Sequence, residues 1–294
     1  METETGIFET LERLGLASLE TRETFATSTR DREGLPVYRD SLSGVVYIDG
    51  FYVGDSTYED GAYRQETVRR AGSRDFELQK DTRRRVEAYS QFYTGKTVTE
   101  FGCGEGAFLR NIAENTLAVS GVELQADFIK TLMSDGFSCF DNPAAIASSS
   151  QDAVFAFHVL EHIPDPLQVL ADLSAILKSG GIIVVEVPHA DDFLLSQLKS
   201  DPFRKFTLWS QHLILHTRDS LHRMLKFAGF TDIVIDGVQR YPLSNHLKWL
   251  AEGQPGGHKG VLSALDTPEL SSAYEAALRK IDATDTLVAV ARKP

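Results

Sequence analysis

Val98-Thr-Glu-Phe-Gly-Cys-Gly-Glu-Gly-Ala-Phe-Leu-Arg110 decides the fold. It reads as a short buried strand, a turn carrying Gly102, Gly104 and Gly106, and the first turn of a helix. Glycines this close let the backbone bend sharply and keep Cβ atoms away from a ligand. The N-terminus of the following helix turns free N–H groups toward the same place. Further on, the apolar run Leu117-Ala-Val-Ser-Gly-Val122 ends in Glu123. A carboxylate at the tip of a second parallel strand is placed to accept hydrogen bonds from ribose hydroxyls. Together these residues predict a nucleoside-cofactor site.

Gly102-x-Gly104-x-x-Ala107 also satisfies the dinucleotide fingerprint, so an NAD-dependent oxidoreductase reading the same turn is the rival from another class. Glu100 argues against it: a carboxylate two residues before the first glycine repels a pyrophosphate and suits an ammonium or sulfonium. Gly106 completes Gly-x-Gly-x-Gly, and the downstream pieces stand in order. These are Gly121-Val-Glu123, Phe157-His-Val-Leu-Glu-His-Ile-Pro-Asp-Pro166 and Gly180-Gly-Ile-Ile-Val-Val-Glu-Val187. The set resembles a class I S-adenosylmethionine (SAM)-dependent methyltransferase of the ubiquinone-methyltransferase-like type, over residues 95–237 and the final strand. The resemblance extends to enzymes of bacterial glycan and secondary-metabolite clusters.

The resemblance implies S-adenosyl-L-methionine as cofactor. Glu100 and the turn Gly102, Cys103, Gly104 and Gly106 would hold the methionine moiety, Glu123 the ribose, and Leu124 and Val159 the adenine faces. His158 joins this set at the end of the fourth strand. Asp141 matches the acidic residue such enzymes place near the adenine amino group, though Phe140-Asp-Asn-Pro143 also reads as a plain turn. Tyr58 or Tyr63 of an aromatic-rich cap would close over the cofactor, or the aromatics simply pack the cap.

Periodicity gives strands near 97–102, 117–123, 137–140, 152–158, 181–188 and 233–235, alternating with helices near 106–115, 125–134 and 165–178. A further helix ends at Gly229, and Thr286–Ala291 reads as a closing antiparallel strand. The expected fold is therefore α/β: a doubly wound, Rossmann-like seven-stranded sheet with its last strand antiparallel. Residues 1–94 form an N-terminal helical and hairpin cap, and residues 95–294 the methyltransferase domain, with an insertion at 238–284 over the substrate site. Within the cap, residues 21–36 read as a linker and 44–54 as a hairpin turning near Asp49-Gly50. A helix is expected from Phe76 to Tyr93.

Methyl transfer to a hydroxyl or carbon acid needs a proton acceptor near neutral pKa. His162 with Glu161 is the first candidate, because similar sugar C-methyltransferases use a histidine just past this strand; the alternative is a histidine packing the Pro164–Asp165 turn. His189 follows the fifth strand, and the two histidines of Gln211-His212-Leu-Ile-Leu-His216 would share a face if helical and could bind substrate or, with a carboxylate, a metal; the alternative is a lid segment with one histidine bonded to backbone. His246 and His258 lie in the insertion. His158-Val-Leu-Glu161-His162 spells an inverted zinc-peptidase motif, but Pro164 and Pro166 break the helix that chemistry needs, so no metal is expected.

The net charge of −12 argues against nucleic acid and anionic lipid as partners. Arg69-Arg70 and Arg83-Arg84-Arg85 are read as a solvated helix face, with an anion-docking surface as the alternative. No run is long and apolar enough to span a bilayer, and Met1-Glu-Thr-Glu-Thr lacks the character of a signal peptide. Two cysteines, Cys103 and Cys139, offer no disulfide framework; the cytoplasm is the default. The expected partner is a small-molecule acceptor, first a sugar or nucleotide-sugar hydroxyl, then a quinone, polyketide or other natural product. A SAM-binding protein without catalysis is a third reading, and the acidic N-terminal helix is a candidate homo-oligomer surface.

Overall fold

The chain begins with α1 (Ile7–Arg13), whose spacing puts Ile7, Thr10 and Leu11 on one buried face. Ile7, Leu11 and Leu14 pack into the main core of the chain. The computed structural model describes residues 6–54 and 75–294; Tyr58, Tyr63 and Arg69-Arg70 lie outside them. Next come β1 (Arg22–Ala26), β2 (Val37–Asp40) and β3 (Val46–Tyr47). The stretch read as a linker thus contributes a strand, because β1 pairs antiparallel with β2 and Arg22 lies over the Tyr38 ring. The hairpin also turns earlier than expected. Asp40 accepts from the amides of Leu42 and Ser43 and closes a tight turn ending at Gly44, while Asp49-Gly50 lies beyond β3.

The helix expected over 76–93 is α2 (Asp75–Ala88) and α3 (Ser90–Tyr93), broken at Tyr89. There follow β4 (Thr97–Phe101), α4 (Ala107–Ile112), β5 (Ala118–Val122), α5 (Ala126–Ser134), β6 (Ser138–Phe140), β7 (Gln151–Phe157), α6 (Pro166–Ile176) and β8 (Leu177–Pro188). After α7 (Asp201–Thr207), the segment 211–216 is not helical. It holds the short strand β9 (Ile214–Leu215), which pairs with β3. The chain ends through α8 (Arg218–Phe227), β10 (Thr231–Val238), α9 (Leu243–Glu252), α10 (Pro268–Lys280) and β11 (Thr286–Arg292).

The seven-stranded sheet runs β10-β11-β8-β7-β4-β5-β6. Strands β6, β5, β4, β7 and β8 are parallel, and β11 inserts antiparallel between β8 and β10. Strand order reverses between β4 and β7, so their carboxyl ends open the crevice where ligands of such sheets bind. β7 is buried almost throughout, as a central parallel strand covered on both faces must be. One face carries α1, α6 and α8 on an aliphatic core. The other is aromatic: Phe108 meets Phe155 and Phe157 edge-on at centroid distances of 5.1 Å each, and Tyr89 stacks on Phe157 at 5.8 Å. That packing fixes α2 and α4 beside the carboxyl ends of β4 and β7.

Candidate functional site

The glycine turn is built by backbone geometry that side chains resist. Gly102, Gly104 and Gly106 all have positive φ, at 72°, 55° and 73°. A Cβ on Gly102 would stand 2.3 Å from Val159 Cγ2, and one on Gly106 2.5 Å from Leu132 Cδ2. The amides of Gly102 and Cys103 donate to the Val122 carbonyl at 2.8 and 3.1 Å, which ties the turn to β5. Cys103 turns its thiol into a small core with Leu109, Leu132 and Cys139, so its side chain faces away from the crevice. Val159 presses on Gly102 from the end of β7.

Glu123 is fixed by the same turn. Its Oε2 accepts from the Gly104 amide at 2.7 Å, and its Oε1 from the amides of Leu124 and Gln125, both at 2.9 Å. Three backbone donors orient the carboxylate and leave lone-pair capacity for a further donor. Leu124 is exposed beside it, and Asp141 is exposed just past β6. Glu100 is buried on β4, and its Oε2 has no hydrogen-bond partner among the described residues. Burial pushes this carboxyl up to about 8; Arg85 opposes the rise, and Glu123 and Glu186 add to it. An orphaned buried carboxyl beside a Cβ-free turn and a preset carboxylate fits a cationic, ribose-bearing group such as SAM.

At the end of β7 the chain turns through His158 in the left-handed region, with φ 54°. Arg240, after β10, donates from Nη1 to His158 Nε2 at 3.1 Å. Because a guanidinium only donates, the imidazole proton is on Nδ1, which donates to Glu161 Oε1 at 3.2 Å. Burial and then Arg240 hold His158 well below its ordinary pKa, in keeping with a neutral ring. Arg240 is anchored on Asp81 of α2, through Nε at 2.9 Å and a second, shorter contact from Nη2. Burial also raises Glu161 to about 8. His162 donates from Nδ1 to the Gln211 carbonyl at 2.8 Å, which leaves Nε2 with a lone pair. The rings of His162 and His212 stand 4.9 Å apart.

The structure therefore brings Glu161, His162 and His212 together and keeps the other candidates apart. His189 is 2% exposed, with Nδ1 on the Thr284 carbonyl, so it reaches no open surface. His216 is fully buried on Ser220, and burial lowers it to about 3. His246 is buried against Tyr274 at 2.7 Å and stacks on Phe193; burial lowers it to about 4. His258 bridges Glu77 of α2 at 3.0 Å and Asn245 at 3.2 Å, which docks the insertion on α2. Tyr63 is outside the described residues.

Sequence reasoning missed Arg240, Asp81 and the role of the arginine run. Only Arg83 is a solvated side chain. Arg84 grips Glu186 with two bonds of 2.8 Å, Arg85 Nε adds a third at 2.9 Å, and Tyr89 Oη a fourth at 2.6 Å. Burial alone would raise the Glu186 carboxyl, but Arg85 and Arg84 outweigh it and hold it well below the carboxylate range. The available signal was Glu186 itself, an acid inside the apolar run Ile182–Val187 that needs buried cations as partners.

Residues 73–234 match the family described as "Methyltransferase domain". The ubiquinone biosynthesis O-methyltransferase of Vibrio parahaemolyticus is 29% identical over 170 residues, 52% of this chain and 72% of that protein. Its counterpart from Idiomarina loihiensis is 26% identical over 200 residues, 63% of this chain and 80% of that protein. A crystal structure of a SAM-dependent methyltransferase from Archaeoglobus fulgidus aligns with TM-score 0.52 at 19% identity, covering 79% of this chain and 99% of that one, a likeness of fold. With over half its length matched, the chain belongs to the methyltransferase domain family and is a class I SAM-dependent methyltransferase.

Proposed function

We propose that the protein O-methylates a hydroxyl of a small polar acceptor, first a sugar or nucleotide-sugar. What supports the acceptor class is a shallow indentation bordered by Lys80, Tyr241 and Pro242, beside the Asp81–Arg240 and Glu77–His258 pairs. Tyr241 suits a sugar hydroxyl, and Lys80 suits an anionic handle. Bound SAM supplies an activated sulfonium methyl. In this reading Glu100 takes the ligand ammonium and Glu123 the ribose. Gly102, Gly104 and Gly106 admit the methionine moiety without a Cβ, while Leu124, Val159 and Asp141 border the adenine. Tyr63 would close over the cofactor.

Transfer asks the protein to orient the acceptor, exclude water and accept one proton. Nε2 of His162 is the proton acceptor we propose, since Gln211 fixes its tautomer. Glu161 and His212 flank it. A second reading, a phenolic or quinol acceptor, is favoured by the apolar side chains Val37, Ile48, Leu208 and Trp209 that gather beside His212. The names of the Vibrio and Idiomarina relatives point the same way.

The proposal keeps residues 1–94 as a cap and 95–294 as the catalytic domain, with 238–284 over the acceptor. It also keeps the cytoplasm as the working compartment, which suits two buried, unbridged thiols. No helix among the described residues is long and apolar enough to cross a membrane. The test is transfer of a tritiated methyl from SAM across matched panels of nucleotide-sugars and catechols. Labelled nucleotide-sugar is the expected product. Label only in the catechols selects the second reading, and label in neither overturns both.

A further inference from the structure

Glu161, His162 and His212 stand outside any expectation drawn from the sequence as a metal set, because 49 residues separate the imidazole of His162 from the Gln211 carbonyl that holds it. The fold closes that gap with two bonds. The Leu213 amide donates to the Glu161 carbonyl at 2.7 Å, and His162 Nδ1 donates to the Gln211 carbonyl at 2.8 Å. One ligand atom from each of the three side chains then lies within 4.8 Å of the other two.

The details match what a cation requires. Gln211 engages the far nitrogen of His162 and aims a lone pair outward from Nε2, the outer-shell arrangement typical of metal-bound histidines. His158 donates to Glu161 Oε1 and orients that carboxylate in the same way. Glu161 is 1% exposed, yet its Oε2 has no hydrogen-bond partner among the described residues. A buried carboxylate oxygen held by its neighbour and left without a donor is costly unless something positive meets it. His162 and His212 are half-buried.

We propose that Glu161, His162 and His212 form a binding site for a first-row divalent cation, with coordination positions left open on the acceptor side. Two imidazoles and one carboxylate without thiolate suit Mn²⁺, Fe²⁺, Co²⁺ or Zn²⁺. Ligand atoms around a tetrahedral ion bonded at about 2.1 Å lie about 3.4 Å apart. With the ion bound, Nε2 of His162 is a ligand and no longer the proton acceptor; a hydroxyl of the acceptor bound at the ion would be more acidic than in water and would pass its proton to solvent before attacking the methyl group. That role rests on the O-methylation reading; the existence of the site does not.

The test uses the full chain, stripped with a chelator and titrated with CoCl₂ and MnCl₂. The Trp209 ring, 5.3 Å from that of His212, serves as fluorescent reporter beside Co²⁺ absorption and Mn²⁺ resonance. The expected result is one ion per chain, quenched tryptophan emission and at least tenfold weaker binding in Glu161→Gln and His212→Ala, with circular dichroism unchanged. No saturable binding in the wild type overturns the site, and that arm needs no variant. Equal binding in well-folded variants overturns it too. Methyl transfer to hydroxylated acceptors that survives stripping overturns the ion's role in transfer and leaves the acceptor reading intact. A bound ion with no hydroxylated acceptor methylated supports the site and removes the acceptor reading.

Discussion

Replacing Glu100 tests the cofactor site through a proton. Burial, opposed by Arg85, holds its carboxyl up at about 8 against an ordinary 4.5. At pH 7 a group with that pKa is about nine-tenths protonated. A ligand ammonium set against it favours the ionised form, so binding S-adenosylhomocysteine at pH 7 releases close to one proton. Titration calorimetry in buffers of different ionisation enthalpy counts it directly. Affinity should rise about tenfold from pH 6.5 to 7.5, or about 1.4 kcal/mol, and flatten above the Glu100 pKa. In Glu100→Gln both the proton and this pH dependence vanish, and affinity falls because a neutral amide replaces the carboxylate. The unliganded protein moves the other way. A raised carboxyl pKa costs nothing below the unfolded value; its penalty grows as pH rises and is complete above the folded one. Glu100 should therefore lower wild-type stability progressively from pH 4.5 to 8, with a full penalty on the order of 5 kcal/mol, and Glu100→Gln should remove that share of the slope while the share of Glu161, also raised to about 8, stays. Identical heats in every buffer and an affinity independent of pH would refute the reasoning.

Other perturbations have distinct signatures. Glu186→Gln leaves Arg84 and Arg85 buried without their counter-charge and should cost about 3–5 kcal/mol in denaturant melts near neutral pH. Because the folded pKa of Glu186 is depressed, that contribution is present above the ordinary carboxylate range and lost as pH falls through the folded value. Gly102→Ala sets a Cβ 2.3 Å from Val159 in a left-handed backbone, so it should abolish S-adenosylhomocysteine binding and destabilise by about 1–3 kcal/mol. Phe108→Ala empties the aromatic face shared with Phe155 and Phe157; a loss of about 3–5 kcal/mol is expected by thermal unfolding. Arg240→Lys keeps the charge but loses the fork joining Asp81 to His158, and should lower kcat more than KM for the cofactor.

Much of the sheet was legible because each signal was local. The Gly102–Gly106 turn, the run ending in Glu123 and the proline-stopped segment after Phe157 each announce a strand followed by a turn. The errors share one cause: a partner distant in sequence overrode a local pattern. Arg22, Glu23 and Thr24 are polar, yet pair with β2, where Arg22 finds Tyr38 and Asp49 and Phe25 packs against a core cluster. Arg84 and Arg85 look solvated beside Arg83 until Glu186 arrives from β8. The segment 211–216 has helical histidine spacing but is drawn into a strand by β3. The site divides the same way: Glu100, Gly102 and Glu123 sit in one βαβ unit, whereas the grouping of His212 with Glu161 and of Arg240 with His158 depends on tertiary closure.

The most direct test of the account is calorimetric titration of S-adenosylhomocysteine into the wild type and Glu123→Ala, each first shown to be folded. The account predicts saturable one-to-one binding in the wild type and its loss in the variant, since Glu123, the proposed ribose acceptor, also holds the Gly104 turn. Absence of binding in the folded wild type, or equal affinity in the variant, would contradict it.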